Sequence, residues 1–341
     1  MGDGYPGVLT IKYHKNAKKQ IESWGLSFDW HREINTTDPN YYKWTQWLFL
    51  QFYKAGLAYE ATGLINWCPK DKTGLANEEV IDGKCERCGS VIERKPMRQW
   101  VLRITKYADR MLKDLDLLTE WPEFIKELQK NWIGRSEGAE IDFPIKNSKE
   151  KIKVFTTRPD PIFGATYVVL APEHALVDIL KPQITNQKKL NDYLALTKTN
   201  TDLEREADTK TKTGVRLDGV MAINPATKEE IPVYVADYVM VNYGTGAIMA
   251  VPAHDERDHD FAKKFRLPII EVIAGGDVMA AAYTGPGKIV NSGKFNKMDS
   301  EQAKKEITKT IGGKLTAMYR LQDWVFSRQR YWGEPIPIIH C

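Results

Sequence analysis

Apolar positions follow two textures along the chain, and the change between them comes near Gly134. Before it the spacing is helical. From Asp38-Pro39, the positions Tyr42, Trp44, Trp47, Leu48 and Phe52 predict a helix that stops at Gly56, with aspartate as cap and proline in the first turn. Its aromatic stripe is expected in the core. Trp100, Ile104, Tyr107, Met111, Leu115 and Leu118 recur at three- and four-residue intervals and predict a second helix with one buried face. Pro122 opens a third, Phe124 to Trp132, which Gly134 closes. The opening stretch from Met1 to about His14 has no clear period and reads as an irregular lead-in.

Beyond Gly134 the apolar runs are short and β-like: Glu140 to Ile145, Ile152 to Thr156, Tyr167 to Ala171, Ile231 to Val241 and Ala247 to Val251. A domain boundary near residue 134 follows from the switch. Lys188 to Lys212 is charged and threonine-rich, as expected of an exposed helix or loop. A helix is predicted from Gln302 to Ile311, closed by Gly312-Gly313, and no internal repeat is visible.

A length of 341 residues with 42% apolar content gives room for two or three domains and a sizeable core. The net charge of +4, from 49 basic and 45 acidic residues, is too evenly mixed to single out nucleic acid. No segment approaches the ~20 consecutive apolar residues needed to cross a bilayer, and the N-terminus lacks a charged start before an apolar core. The expectation is a cytoplasmic protein with no membrane partner.

Four cysteines, at positions 68, 85, 88 and 341, are too sparse for a disulfide scaffold. Three of them cluster, which points to metal. Trp67-Cys68-Pro69-Lys70-Asp71 and Cys85-Glu86-Arg87-Cys88-Gly89 have the outline of a zinc ribbon, with Asp71 where a fourth cysteine would stand. Zinc accepts carboxylate oxygen, so Cys68, Asp71, Cys85 and Cys88 form a candidate tetrahedral set. The alternative is a degenerate knuckle that folds without metal.

Two polar segments carry the candidate chemistry: Thr156-Thr157-Arg158-Pro159-Asp160, and Tyr243-Gly244-Thr245-Gly246 running through Met249-Ala250-Val251-Pro252-Ala253-His254-Asp255-Glu256-Arg257-Asp258. Each follows or contains an apolar run. Hydroxyls, a guanidinium and two carboxylates at strand ends are the groups needed to hold an aminoacyl ester and a water beside a tight side-chain pocket. Gly244-Thr245-Gly246 is read as a turn rather than a phosphate loop, because strand residues follow it and not a helix.

Several phrases together resemble a class I leucyl-tRNA synthetase of the bacterial type. They are Gly25-Leu26-Ser27-Phe28-Asp29-Trp30, Asn66-Trp67-Cys68-Pro69, Ala76-Asn77-Glu78-Glu79-Val80-Ile81-Asp82-Gly83, Asn131-Trp132-Ile133-Gly134-Arg135-Ser136-Glu137-Gly138, the two polar segments, and Ser327-Arg328-Gln329-Arg330-Tyr331-Trp332-Gly333. They occur in the family's order from about residue 16 to the end. The resemblance implies an α/β fold: an incomplete Rossmann-like catalytic domain with a zinc knuckle, interrupted by a β-rich, barrel-like editing domain. Residues 1–134 would be the catalytic portion with the knuckle at 66–95, residues 135–318 the editing insertion, and 319–341 the return strand.

Two departures stand beside the matches. The His-x-Gly-His and Lys-Met-Ser-Lys-Ser motifs through which class I synthetases use ATP do not occur, and Lys297-Met298-Asp299-Ser300 lies on the wrong side of the Ser327 phrase and reads as a surface turn. The resemblance therefore implies an internal fragment in which ATP and Mg serve only the full enzyme. Editing of the ester would be its remaining activity, with the acceptor end of leucine tRNA carrying a noncognate aliphatic amino acid as substrate, and a monomer is expected. By the resemblance Asp258 takes the α-ammonium, while Thr156 and Thr157 bind ester, ribose or water. Arg158 holds Asp255 or Asp160, or stabilises negative charge directly. Tyr243, Met249 and Val251 shape the side-chain pocket or the adenosine platform, and His254 stands adjacent with a structural role expected. Pro161 replaces the threonine that in the family blocks leucine. Rival readings are an isoleucyl- or valyl-tRNA synthetase fragment and a non-catalytic zinc-containing tRNA-binding module.

Overall fold

The computed structural model describes residues 6–76, 79–81, 83–197, 212–240, 244–327 and 335–341. They divide into two compact units, one comprising the chain up to Ala58 with the C-terminal residues, the other running from Tyr59. In the first unit, α1 (Pro6–Ser23) occupies the stretch expected to be irregular. Its residue Ile11 is 59% exposed, so little burial had selected a periodic pattern there. α2 (Pro39–Lys54) starts where predicted, with the Asp38 carboxylate accepting from the Asn40 N–H, and Gly56 beyond it takes a left-handed φ of 67°. Its aromatic stripe is not core in this chain: Trp44 and Trp47 are 63% and 55% exposed, and only Phe49 is buried.

The second unit opens with a small sheet of β1 (Ala58–Cys68), β2 (Thr73–Leu75), β5 (Glu93–Leu102) and β15 (Trp324–Val325), in the order β15-β5-β1-β2. Between β2 and β5 lies a short hairpin of β3 (Val80–Ile81) and β4 (Lys84–Cys85). The helix predicted from Trp100 begins later than expected. Trp100 and Val101 belong to β5, where Val101 pairs with Val325 and the Trp100 N–H donates to Ser327 Oγ at 3.0 Å, so strand pairing overrides the helical spacing. Helical backbone starts at Ile104 and continues through α3 (Ala108–Asp114). α4 (Glu123–Ile133) ends at Gly134 in the left-handed conformation.

The β-rich portion is built from two sheets. β6 (Arg135–Pro144) lies between β7 (Lys151–Thr156) and β14 (Lys314–Tyr319), antiparallel to both. The second sheet is ordered β11-β8-β10-β9, from β8 (Tyr167–Leu170), β9 (Val215–Ile223), β10 (Glu230–Val235) and β11 (Ala247–Ala250). β8 and β10 are parallel and the other pairs antiparallel, and β12 (Ile273–Ala274) and β13 (Lys288–Ile289) form a separate antiparallel pair. Both edge strands of the second sheet reach the first, with β11 beside β7 and an Ile145–Ala222 bridge joining the end of β6 to β9. This gives the barrel-like arrangement expected. β8 is buried along its whole length because both faces are covered. Val168 and Leu170 face the larger core with Ile141, Phe143 and Val154, whereas Tyr167 and Val169 face a second cluster against Phe261.

Helices pack around this framework: α5 (Ala175–Leu180), α6 (Gln187–Thr197), α7 (Glu256–Phe265) and α8 (Ser300–Thr310). α6 covers the start of the charged stretch; residues 198–211 lie outside the described residues. Lys297, at φ 72°, makes the turn expected there, but Asp299 then caps α8 and Ser300 is buried as its first residue. Among the described residues no helix is long and apolar enough to cross a membrane.

Candidate active site

β7 and β11 lie side by side and deliver the two polar segments to one place. Thr156 is the last residue of β7, and the chain then turns through Pro159 into a short 3-10 helix, Asp160–Gly164. β11 ends at Ala250, and Asp255 caps α7, its carboxylate accepting from the N–H groups of Arg257 and Asp258 at 2.9 and 3.1 Å. A cavity of about 210 Å³ opens between the segments. Thr156, Thr157, Arg158, Pro161, Met249, Val251, His254, Asp255 and Asp258 all line it.

Asp258 is the most unusual group there. It is 4% exposed, and its Oδ2 accepts the Val251 N–H at 2.9 Å while Oδ1 faces the Tyr238 hydroxyl at 3.4 Å. Burial, reinforced by the neighbouring Asp255 carboxylate, holds its carboxyl well above the usual range. Arg257 pairs loosely with Asp255 at 3.5 Å, and among the described residues no basic side chain pairs with Asp258. A buried carboxylate that faces a cavity and has no paired cation favours a ligand that brings one.

Arg158 resolves in favour of Asp160. Its Nη2 donates to Asp160 Oδ2 at 3.2 Å and its Nη1 to the Thr284 carbonyl at 2.9 Å. Asp160 itself does not line the cavity; it is fully buried beneath it, with Oδ1 unpartnered, and burial raises its carboxyl against the pull of Arg158. The Thr156 hydroxyl accepts the Arg158 N–H at 3.0 Å, whereas Thr157 is exposed to the cavity. His254 is structural: Nδ1 donates to the Tyr283 carbonyl at 2.9 Å, and Nε2 accepts from Val272 and Ile273 at 3.1 Å each. Burial lowers its basicity as well. Neither nitrogen is left to act as a base.

Tyr243 lies outside the described residues. Gly244 and Gly246, at φ 69° and 71°, form the expected turn into β11. Phe155, Ile248 and Arg257 also line the cavity and had no assigned role. Phe155 and Ile248 are apolar residues inside strand runs, indistinguishable in sequence from core. Arg257 could have been picked out from its place between the two aspartates on a helix first turn.

The cysteine cluster forms a separate centre. Cys68 ends β1, Cys85 lies on β4, and Asp71 and Cys88 sit in the turns that follow. One donor atom from each lies within 4.8 Å of the others, with Cys68 Sγ and Cys88 Sγ 3.4 Å apart and Cys85 Sγ 3.4 Å from Asp71 Oδ2. A zinc–sulfur bond of about 2.3 Å places tetrahedral ligand atoms about 3.8 Å apart, so the four fit that ion. Burial pushes the Cys68 thiol up to about 11, and hydrogen bonds from Ser90 hold Cys88 below its ordinary value.

Residues 8–139 match the family of class I tRNA synthetases for isoleucine, leucine, methionine and valine. The fold and site thus define a class I aminoacyl-tRNA synthetase polypeptide. Residues 130–312 match the editing domain of leucyl-tRNA synthetase, and the chain belongs to the leucyl-tRNA synthetase family, which sets aside the isoleucyl and valyl alternatives. It is 53% identical over 343 aligned residues to the leucine–tRNA ligase of Alkaliphilus oremlandii and 56% identical over 344 to that of Elusimicrobium minutum. Each alignment takes in 99% of this chain, which spans 42% and 40% of those relatives' lengths. The crystal structure of the agnB2 LeuRS of Agrobacterium radiobacter K84, in a ternary complex with tRNA and LeuAMS, superposes with a TM-score of 0.78 at 37% identity. That match covers 99% of this chain and 40% of the other.

Proposed function

We propose that the chain hydrolyses the ester of mischarged leucine tRNA in the cavity between Thr156 and Asp258. The observation that supports this is the buried Asp258 carboxylate, which faces the cavity and pairs with no basic side chain among the described residues. The α-ammonium of an aminoacyl ester supplies the missing charge and fixes the ester carbonyl towards Thr157. Water adds to that carbonyl carbon, the bond to the ribose oxygen breaks, and that oxygen leaves with a proton as free amino acid departs. Because both His254 nitrogens are engaged with backbone, the vicinal ribose hydroxyl assists the attack. Asp160 serves by holding Arg158, and Asp255 by capping the helix that carries Asp258.

Packing alone separates aliphatic side chains that differ by a methylene by ~1–3 kcal/mol, which is why a second, hydrolytic sieve is useful. Met249, Val251 and Pro161 form its apolar wall. Pro161 lacks a hydroxyl but keeps its bulk, so leucine is excluded sterically. Purified chain should deacylate isoleucyl-tRNA bearing the leucine tRNA body, and Asp258→Ala should abolish this while tRNA binding survives. An unchanged rate in that variant would remove the reading. Binding without hydrolysis by the unaltered chain would favour the non-catalytic module. Leucyl-tRNA should be cleaved at least about tenfold more slowly.

The same proposal extends to the longer polypeptide: leucine attachment to tRNA with ATP and Mg. This chain, without either ATP motif, should give no leucine-dependent pyrophosphate exchange. Zinc at Cys68, Asp71, Cys85 and Cys88 would serve structure rather than chemistry, since all four positions of a tetrahedral ion are taken by protein.

A further inference from the structure

Behind Asp258, on the side away from the cavity, two tyrosine hydroxyls meet. Tyr238, in the turn after β10, points its hydroxyl at Asp258 Oδ1, and Tyr167, on β8, donates to the Asp258 backbone carbonyl at 3.1 Å. Both rings are buried in the aromatic cluster around Phe261, with centroids 5.8 Å from it for Tyr238 and 5.2 Å for Tyr167. Neither tyrosine lines the cavity, so neither touches a ligand there.

We propose that Tyr238 is the positioning residue of the ammonium site: its hydroxyl holds Oδ1 of Asp258 while the Val251 N–H holds Oδ2, fixing the carboxylate plane. The inference rests on Asp258 being the ammonium ligand. A terminal carboxylate torsion is broad and two-fold, so one hydrogen bond leaves the group free to swing and two do not. The groups around Asp258 allow no substitute. On its own helix stand Asp255, which opposes its ionisation, and Arg257, which turns to Asp255. Across the cavity Thr156, Thr157 and Arg158 belong to the other wall, with Arg158 donating to Asp160 and Thr284 and His254 to Tyr283. Tyr238 is therefore the side chain that donates to this carboxylate among the described residues. Burial keeps its phenol protonated at any ordinary pH, so the donor is permanent.

The test is Tyr238→Phe, which keeps the ring and its packing, read by deacylation of isoleucyl-tRNA bearing the leucine tRNA body across mildly acidic to mildly alkaline pH. Removing the donor should disfavour the ionised carboxylate, so the acidic limb of kcat/KM moves to higher pH. At the acidic end kcat/KM should fall about three- to tenfold, mostly through KM, with little change in melting temperature. Tyr167→Phe, which leaves the Tyr238 donor in place, should shift the limb less. A Tyr238→Phe variant with the unaltered pH profile and KM would overturn the proposal, as would a loss uniform in pH that tracks a lowered melting temperature. Asp258→Ala separates the two layers: if it deacylates normally, the ammonium reading falls and this proposal with it. If it is dead while Tyr238→Phe is unaffected, only the positioning role fails.

Discussion

Two buried carboxylates in the site differ in one respect, and that difference sets what each substitution should do. Among the described residues Asp258 is paired with no basic side chain, so its ionisation is a standing cost to the fold. An asparagine there can place its oxygen on the Val251 N–H and remove the charge. The folded carboxyl is raised above its unfolded value, so the stabilising preference for the protonated form is complete in acid and is lost as pH rises through the folded value. Asp258→Asn should therefore melt at the same temperature as the unaltered chain near the ordinary carboxylate range, melt higher at neutral pH, and lose deacylation at every pH; calorimetry over pH checks the sign. Asp160 is also raised, but Arg158 opposes the shift. Arg158→Ala leaves it buried and unpaired, which should destabilise the chain by about 1–3 kcal/mol at neutral pH. That loss should shrink in acid, where Asp160 is protonated, and Arg158→Ala with Asp160→Asn should recover part of it. Urea unfolding of the single and double variants measures the coupling. In the sequence these roles were only half legible, since Thr156-to-Asp160 and Asp255-to-Asp258 give the composition of the site but not which carboxylate lacks a cation.

At the level of elements, the site depends on β6 although no β6 residue lines the cavity. A Cβ at Gly138 would lie 2.4 Å from the Thr156 carbonyl oxygen and 2.8 Å from the Phe155 ring. β7 must come that close to place Thr156 at the rim, so Gly138→Ala should push the strand end outward. We expect a loss of about 1–3 kcal/mol in chemical unfolding and a fall in deacylation that exceeds what the stability loss explains. Gly63→Ala, on β1 with nothing within 4 Å of the added carbon, is the control and should be nearly silent. Elements whose pattern records their own burial were the readable ones: β7, β8 and β11 were visible as apolar runs, and α2 and α4 through their proline and glycine punctuation. β5 was misread because its pairing with β15 joins residues more than two hundred positions apart, and no local window contains that partner. α1 escaped because an exposed helix has no apolar stripe to show.

Across the whole molecule, burial is distributed in separate clusters, and this predicts how the chain responds to losing metal. The knuckle has its own small core of Cys68, Leu75 and Cys85 with Val80, Cys88 and Ile92 against it. The cavity instead rests on the two clusters that share β8. A core so small cannot hold four chain crossings by apolar burial alone, whereas a tetrahedral ion would tie them together. Purified chain should carry about one zinc per polypeptide, and Cys85→Ser should lose it. Chelation should open the knuckle to proteolysis around residues 66–95, but leave deacylation within about twofold, because local unfolding there exposes none of the residues that shape the cavity. Zinc-free protein with an intact, protease-resistant knuckle would mean that the hydrogen bonds among Cys68, Asp71, Cys85 and Cys88 suffice without the ion. A parallel loss of knuckle and deacylation would instead mean that the two clusters unfold as one, and that the editing site draws stability from a sheet it does not touch.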